Sequence, residues 1–520
     1  MNNSALLIQS LQNPSLFPHK IEYFKVIETH ISWVLLTGLY AYKIKKPLNL
    51  GFLDFSSLEK RRHYCFEELR LNSRLAENTY LEVITIYGTE EHPRFDKSKT
   101  AIEYAVKMRQ FKADKTFEQL LVKNQLTAEH LKQLAKIIAD FHNKVEVSAA
   151  NTEFGTANAV IQPVYENFEQ ILKLHNIDKP HVLVHLANWS KQQHTLLKSV
   201  FRQRKQAGFV RECHGDLHLN NIALIDNKVV PFDGIEFNPS LCWIDVISEV
   251  AFLVMDLQNK QRTKLAFLFL NNYLQHSGDY DGLKLLRFYL VYRAVVMAKV
   301  SAIRANQRSA TEENHLDIEN YHAYLKLGHS FTQTISPVMI IMQGVSGSGK
   351  SYLSEQITQR YQSIRIRSDV ERKRLFENSA IQSSHSGLKS GLYSQSFSDI
   401  TYQHLLKLAD KILNANFNVI IDATFLQQQQ RHLFFQHAEQ LKVPFLIVQT
   451  QADKQTLIQR IKNRSKQENN VSEANQAVLE NQLENFQPLN DKELQHCITI
   501  NTEKNTDLLK LWKRLDDVKS

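Results

Sequence analysis

The chain has 520 residues, 43% hydrophobic and 22% charged, with a formal net charge of +9 and four cysteines. This is the composition of an ordinary folded protein large enough for more than one core, which excludes a disordered tail or a fibrous repeat. Cys65, Cys213, Cys242 and Cys497 form no Cys-x-x-Cys pair, which argues against a zinc ribbon or a disulfide framework.

No apolar run approaches the length of a membrane span, and the N-terminus lacks the basic and apolar stretches of a signal peptide. The expectation is a cytoplasmic protein with no membrane partner. Most basic residues are scattered and read as solvated faces, and the positive surplus suits phosphate-bearing ligands.

Residues 20–112 alternate apolar and polar side chains as strands do, in ISWVLLTG, LYAYKIKK and AIEYAVKMRQF, around one helical segment, LEKRRHYCFEELRLNSRLA. Residues 113–330 have helical periodicity, broken by a short strand pair, NIALID and KVVPFD. Residues 328–337, GHSFTQTISP, are small and polar and read as a linker. From residue 338 strands and helices alternate, with VMIIMQ, SIRIRS, NVIIDA, PFLIVQT and CITIN as the strands. That is the pattern of a parallel, doubly wound α/β domain. The expected division is 1–335 and 336–520, and each half is expected to fold alone when cut near Ser336.

Residues 213–236 read CHGDLHLNNIALIDNKVVPFDGIE. His214-x-Asp216-x-x-x-x-Asn221, a strand pair, then Asp233-Gly234 has the spacing of a kinase catalytic loop and metal-binding segment. Asp216 can accept or orient the proton of an attacking hydroxyl, and Asn221 and Asp233 can hold Mg²⁺ between phosphates.

HGDLHLNN followed by PFDGIEF resembles the aminoglycoside-phosphotransferase-like branch of the protein-kinase fold. The resemblance implies an α+β, protein-kinase-like N-terminal domain. It makes Lys43 of LYAYKIKK the lysine on the α/β-phosphates, preferred over Lys45, which lies on the same side of the strand. Glu68, preferred over Glu67, becomes its ion-pair partner, and residues 107–111 the adenine-binding hinge. Helices within 150–210 and 255–330 would carry the acceptor. The Gly-rich loop of protein kinases is missing: the corresponding turn is Glu28-Thr29-His30-Ile31-Ser32, so phosphate cover would come from Thr29 or Ser32 hydroxyls and backbone, or be weak. Asp245 matches a structural aspartate and equally a helix cap.

The second motif is Gly344-x-x-x-x-Gly349-Lys350-Ser351, a complete P-loop between an apolar strand and a helix. Backbone N–H groups of Gly344, Val345, Ser346, Gly347, Ser348 and Gly349 would cradle phosphates. Lys350 would reach the β/γ-phosphates and the Ser351 hydroxyl would ligate Mg²⁺. Asp369, at the carboxyl end of the second strand, faces the ligand crevice of such a sheet and could activate a hydroxyl, with Arg372 one turn later for an anionic group. Asp422 ends the third strand as a Walker-B-like acid near Mg²⁺. Arg460 and Arg464 share one helix face, as lid arginines do when they clamp a transferring phosphate.

This half resembles the small P-loop kinases: gluconate kinase, zeta-toxin-type kinases and the 5′-hydroxyl polynucleotide kinase module, whose Asp-x-x-Arg and Arg-x-x-x-Arg it matches. Together the resemblances imply a bacterial two-domain kinase with two ATP·Mg²⁺ sites, acting on a hydroxyl-bearing small molecule. The alternatives are a P-loop kinase or ATPase regulated by a catalytically weak N-terminal pseudokinase domain, and a polynucleotide kinase. A nucleic-acid partner is not favoured, because no aromatic-rich basic stripe is present.

Overall fold

The strand alternation of the first hundred residues becomes a six-stranded antiparallel sheet in the computed structural model, which describes residues 3–51, 53–96, 100–307, 312–377, 395–464, 476–503 and 507–519. Its strands are β1 (Lys25–Glu28), β2 (Ser32–Leu36), β3 (Tyr40–Lys45), β4 (Tyr80–Gly88), β5 (Pro93–Arg94) and β6 (Ala101–Arg109), in the order β1-β2-β3-β6-β4-β5. Lys43 pairs in register with Val34 and Val106, and Lys45 with Ser32. Two residues apart, the lysines project from the same face of the sheet.

Helix α1 (Leu58–Ala76) packs on β4 and β6. Ser57 caps it, its hydroxyl accepting from the Lys60 amide at 3.2 Å. The buried stripe of α1 is Arg61, Cys65, Glu68, Leu71, Asn72 and Ala76, recurring every three or four residues. Charged and amide groups on such a stripe must find partners inside, since an unpaired buried charge is costly.

The following region is helical, with Ala128–Lys144, Ala157–Lys173, His181–Gln206 and α2 (Val246–Asn259) as its larger helices. Two short antiparallel pairs interrupt it: β7 (Val210–Glu212) with β10 (Trp243–Asp245), and β8 (Ile222–Ile225) with β9 (Lys228–Pro231). All residues of α2 from Val246 to Leu257 are buried, including Glu249 and Asp256. A small strand-rich part followed by a helical part, with the catalytic-loop motif ahead of the β8–β9 hairpin, is the protein-kinase-like arrangement.

The C-terminal sheet has β11 (Met339–Gln343), β12 (Ser363–Arg367), β13 (Asn418–Asp422), β14 (Phe445–Gln451) and β15 (Cys497–Asn501). All its pairings are parallel, in the order β12-β13-β11-β14-β15. Every residue of β11 and β13 is buried, as expected where helices cover both faces. One core joins Ile340 and Met342 to Leu353, Ile357, Leu511 and Leu515. The strand order reverses at β11, which places a ligand crevice at its carboxyl end. Among the described residues no helix is long and apolar enough to cross a membrane.

Two expectations need correction. Glu312–Phe331 is one helix, so the linker begins after Phe331 and not at residue 328. Gly328 is interior to it and packs against Leu186 and Ala294. The division is also not a single cut at 335/336. The compact units are Met1–Asn259 with Phe288–His329, and Lys260–Arg287 with Ser330–Ser520. Helix α3 (Thr263–Ser277) therefore belongs with the P-loop unit, because its apolar residues bury against α4 (Lys350–Tyr361) and β12. Residues 260–287 leave the stretch assigned to an N-terminal acceptor pocket.

Candidate functional site

In the first unit Glu68 takes both lysines of β3, one on each oxygen. Lys43 Nζ is 2.8 Å from Oε1 and Lys45 Nζ 2.6 Å from Oε2. Lys43 also reaches Asp233 Oδ1 at 2.5 Å, whereas Lys45 turns inward to the buried Glu236. Burial opposes the Lys43 charge, but Asp233 and Glu68 outweigh it and raise its pKa. Burial likewise opposes the Glu68 charge, and the two lysines pull its pKa down. Glu67 points away and pairs with Arg70.

Asp233 has φ +62°, a left-handed conformation that a non-glycine residue adopts only when its surroundings impose it. Its amide donates to the Tyr80 hydroxyl at 3.1 Å, and the Gly234 amide to Asn72 Oδ1 at 2.7 Å. His214 Nε2 donates to the Phe232 carbonyl at 2.8 Å, tying the His214–Asn221 segment to the same turn.

Asn221 Nδ2 donates to Asp216 Oδ2 at 2.9 Å. Its amide nitrogen thus faces Asp216, which leaves Oδ1 as the atom able to accept a cation. His218 Nε2 lies 3.3 Å from the same Asp216 Oδ2, while its Nδ1 accepts from the Asn220 amide. Oδ1 of Asp216 has no hydrogen bond among the described residues. Burial pushes the Asp216 pKa up, but His218 more than reverses this and holds it at about 2. Burial opposes the His218 charge in turn, and Asp216 raises its pKa.

Sequence reasoning left His218 and Glu249 without roles. Glu249 Oε2 accepts from the Gly215 amide at 2.7 Å and Oε1 bonds His142. Asp256 Oδ2 accepts from the Leu219 amide at 2.9 Å. Two carboxylates in an otherwise apolar helix were the available signal. Asp245 forms a buried pair with Arg204 at 2.7 Å and also accepts from the Ile247 amide, so it is both ion-pair partner and cap. Thr29 spends its hydroxyl closing its own turn on Ser32, and Ser32 is fully buried, so of the expected sources of phosphate cover the hydroxyls are engaged or enclosed.

In the second unit one cavity of about 610 Å³ gathers Ser346, Gly347, Gly349, Lys350, Ser351, Asp369, Arg372, Asp422 and Arg460. Gly344 has φ +147°, and a Cβ there would lie 2.6 Å from Thr450 Oγ1 and 2.7 Å from the Thr450 carbonyl, so only glycine fits. Ser348 Oγ bonds Thr450 Oγ1 at 2.7 Å, and Val345 packs in a small core with Leu457, Ile461 and Leu479. Lys350 Nζ donates to the Val345 carbonyl at 2.8 Å. Asp422 Oδ2 accepts from Ser354 Oγ at 3.2 Å, one turn beyond Ser351. Asp369 and Arg372 lie on α5 (Ser368–Glu377), which follows β12 directly.

Arg460, on α6 (Lys454–Arg464), borders the cavity but is fastened to the loop: it donates to the Gly347 carbonyl at 3.2 Å and to Thr502 Oγ1 at 2.8 Å. The Arg464 side chain lies outside the described residues. Arg367, Tyr402 and Asn485 also line the cavity and were assigned no role from the sequence. Hydroxyl and carboxylate oxygens at Ser351 and Asp422, and an amide and carboxylate oxygen at Asn221 and Asp233, are donor sets a hard cation such as Mg²⁺ takes.

The two units define a protein-kinase-like fold joined to a P-loop kinase domain, and a family model described as AAA domain matches residues 339–489. The chain belongs to the family of the uncharacterized protein Rv2004c of Mycobacterium tuberculosis (strain ATCC 25618 / H37Rv), to which it is 30% identical over 416 residues, 79% of this chain and 80% of the relative. Among solved structures it is similar to a choline/ethanolamine kinase family protein from Mesorhizobium loti (10% identity, 64% of this chain and 99% of that one, TM-score 0.40). It is also similar to a sugar kinase from Janibacter sp. HTCC2649 (17% identity, 36% of this chain and 99% of that one, TM-score 0.27).

Proposed function

We propose that the protein is an ATP-dependent phosphotransferase with two nucleotide sites, each transferring the γ-phosphate of ATP to a hydroxyl, with a small molecule as the acceptor. The observation that carries this reading is that Asp369 and Arg372 open into the same cavity as Lys350, Ser351 and Asp422. A hydrolase that only cycles conformation has little use for a carboxylate beside an arginine in its substrate crevice. Here Asp369 would accept or orient the acceptor's proton, and Arg372 would hold an anionic group beside that hydroxyl. Lys350 would exchange its bond to Val345 for the β/γ-phosphates. Arg460 would stiffen the loop around Gly347.

In the first unit Asp216 is ionised at neutral pH, and its Oδ2 is tied by Asn221 and His218, which leaves Oδ1 for the acceptor hydroxyl. Lys43 would move from Asp233 to the α/β-phosphates as nucleotide enters. Asn221 and Asp233 would hold Mg²⁺ here, and Ser351 and Asp422 in the second unit. Bound there, the ion would neutralise charge on the β- and γ-phosphates.

The Thr29–Ser32 turn favours a second reading, in which the first unit binds nucleotide without turnover. It has no glycine, its Thr29 hydroxyl is engaged with the Ser32 backbone, and Ser32 is fully buried. An ATP-consumption screen of the full chain separates the readings, using sugars, nucleosides, 5′-hydroxyl oligonucleotides and aminoglycosides as acceptors. Two activities, one lost in Asp216→Asn and the other in Lys350→Ala, support two enzymes. Turnover that depends on Lys350 alone supports the regulatory reading.

A further inference from the structure

The P-loop unit contains a segment that precedes its first strand by some fifty residues of sequence, and that segment grips the helix carrying Asp369 and Arg372. β12 is an edge strand of the parallel sheet. An edge strand carries backbone groups with no strand partner. Asn271, buried on α3, supplies one: its Oδ1 accepts from the Arg365 amide at 2.7 Å and its Nδ2 donates to the Ser363 carbonyl at 3.0 Å. A single side-chain amide thus takes the place of a sixth strand over three residues of β12.

The grip continues onto α5. Tyr280, 2% exposed, donates its hydroxyl to Glu371 Oε1 at 3.3 Å. Glu371 is also bound by Arg374 and by His404 Nε2, the latter at 3.2 Å. Arg374 Nη2 donates to the Gln275 carbonyl at 2.6 Å. Its guanidinium approaches Gly278, the left-handed cap of α3, so closely that a Cβ there would lie 3.0 Å from Nε. Asp281 holds Lys411 at 2.6 Å. Glu371 and Arg374 are thus spoken for by the segment and its neighbours, while Asp369 and Arg372 on the same helix line the cavity.

We propose that Lys260–Arg287 is a brace for the acceptor side of the P-loop site, with Tyr280 and Asn271 as positioning residues that set where α5 presents Asp369 and Arg372. The roles of those two residues rest on the phosphotransferase reading; the brace itself does not. A P-loop polypeptide begun at residue 336 lacks this brace.

The test uses the full chain with Asp216→Asn as background, adding Tyr280→Phe or Asn271→Ala. Hydrogen exchange over residues 363–377 should quicken about tenfold, as loss of one buried hydrogen bond implies, with exchange over residues 339–350 unchanged. In the acceptor screen, kcat should fall about tenfold in Tyr280→Phe with KM for ATP unchanged, because the P-loop is untouched. A merely structural role would move both constants or neither. Unchanged exchange over 363–377 in both variants overturns the brace. No turnover in the Asp216→Asn background, together with quickened exchange, overturns the phosphotransferase reading of this unit and leaves the brace standing.

Discussion

Lys43 Nζ and Asp233 Oδ1 meet at 2.5 Å although 190 positions separate them in the chain. Lys45, two residues on and facing the same way, makes no such contact and is buried between Glu68 and Glu236. The two lysines therefore divide the work. Lys43→Ala is expected to weaken ATP·Mg²⁺ binding by the first unit with a smaller loss of stability than Lys45→Ala, because Glu68 keeps Lys45 and Asp233 is partly exposed. Lys45→Ala strands the buried Glu236 and takes one of two lysines from the buried Glu68, and should cost that unit about 3–5 kcal/mol. Urea unfolding and nucleotide titration of both variants separate these outcomes.

The pair Asp216–His218 gives a pH signature. Asp216 is held at about 2 in the folded chain, below its ordinary value. Its contribution to stability is therefore complete above about pH 4 and is lost as pH falls toward the folded value. The His218 pKa is raised. Its contribution is complete below its ordinary value and is lost as pH rises through the folded one. The difference in urea midpoint between wild type and His218→Gln should be larger at about pH 5 than at about pH 9. An equal difference at both would remove the ion pair from the account.

Arg431 is among the largest fully buried side chains and clamps one wall of the P-loop cavity. It pairs with Glu493 at 2.7 Å and donates to the carbonyls of Phe425, Leu426, Gln487 and Pro488. Arg431→Ala leaves the partly buried Glu493 and four carbonyls without the arginine's donors. It should lower the stability of that unit by about 3–5 kcal/mol in denaturant unfolding, with the first unit's transition unmoved.

These cases mark where sequence carries structure and where it stops. The five strands of the P-loop unit are legible because each is a short apolar run bounded by turn residues, and the Gly344–Ser351 spacing admits few other uses. The kinase-like fold is legible from HGDLHLNN and the strand pair after it. Lys43 and Lys45 cannot be ranked by alternation, since both fall on one face; a contact 190 residues away distinguishes them. Gly328 looks like a breaker because its packing against Leu186 and Ala294 is tertiary. The apolar run of α3 looks the same whichever core it enters; its packing on α4 and β12 and the Asn271 bonds to β12 tell which unit owns it.

On the proposed reading Asp216 addresses the acceptor and not the nucleotide, so Asp216→Asn should abolish transfer by the first site with ATP affinity nearly intact. Asp233→Asn should also weaken Mg²⁺-dependent binding. Single-turnover transfer and nucleotide titration of the two variants in a Lys350→Ala background read these effects directly. If neither substitution changes turnover there, the first unit is not a kinase.

Calorimetric titration of the full chain with a non-hydrolysable ATP analogue and Mg²⁺ tests the two-site claim most directly. The account predicts two binding events in the wild type, the first unit's event weakened in Asp233→Asn and the second unit's lost in Lys350→Ala. A Lys350→Ala protein that binds no nucleotide at all would contradict it.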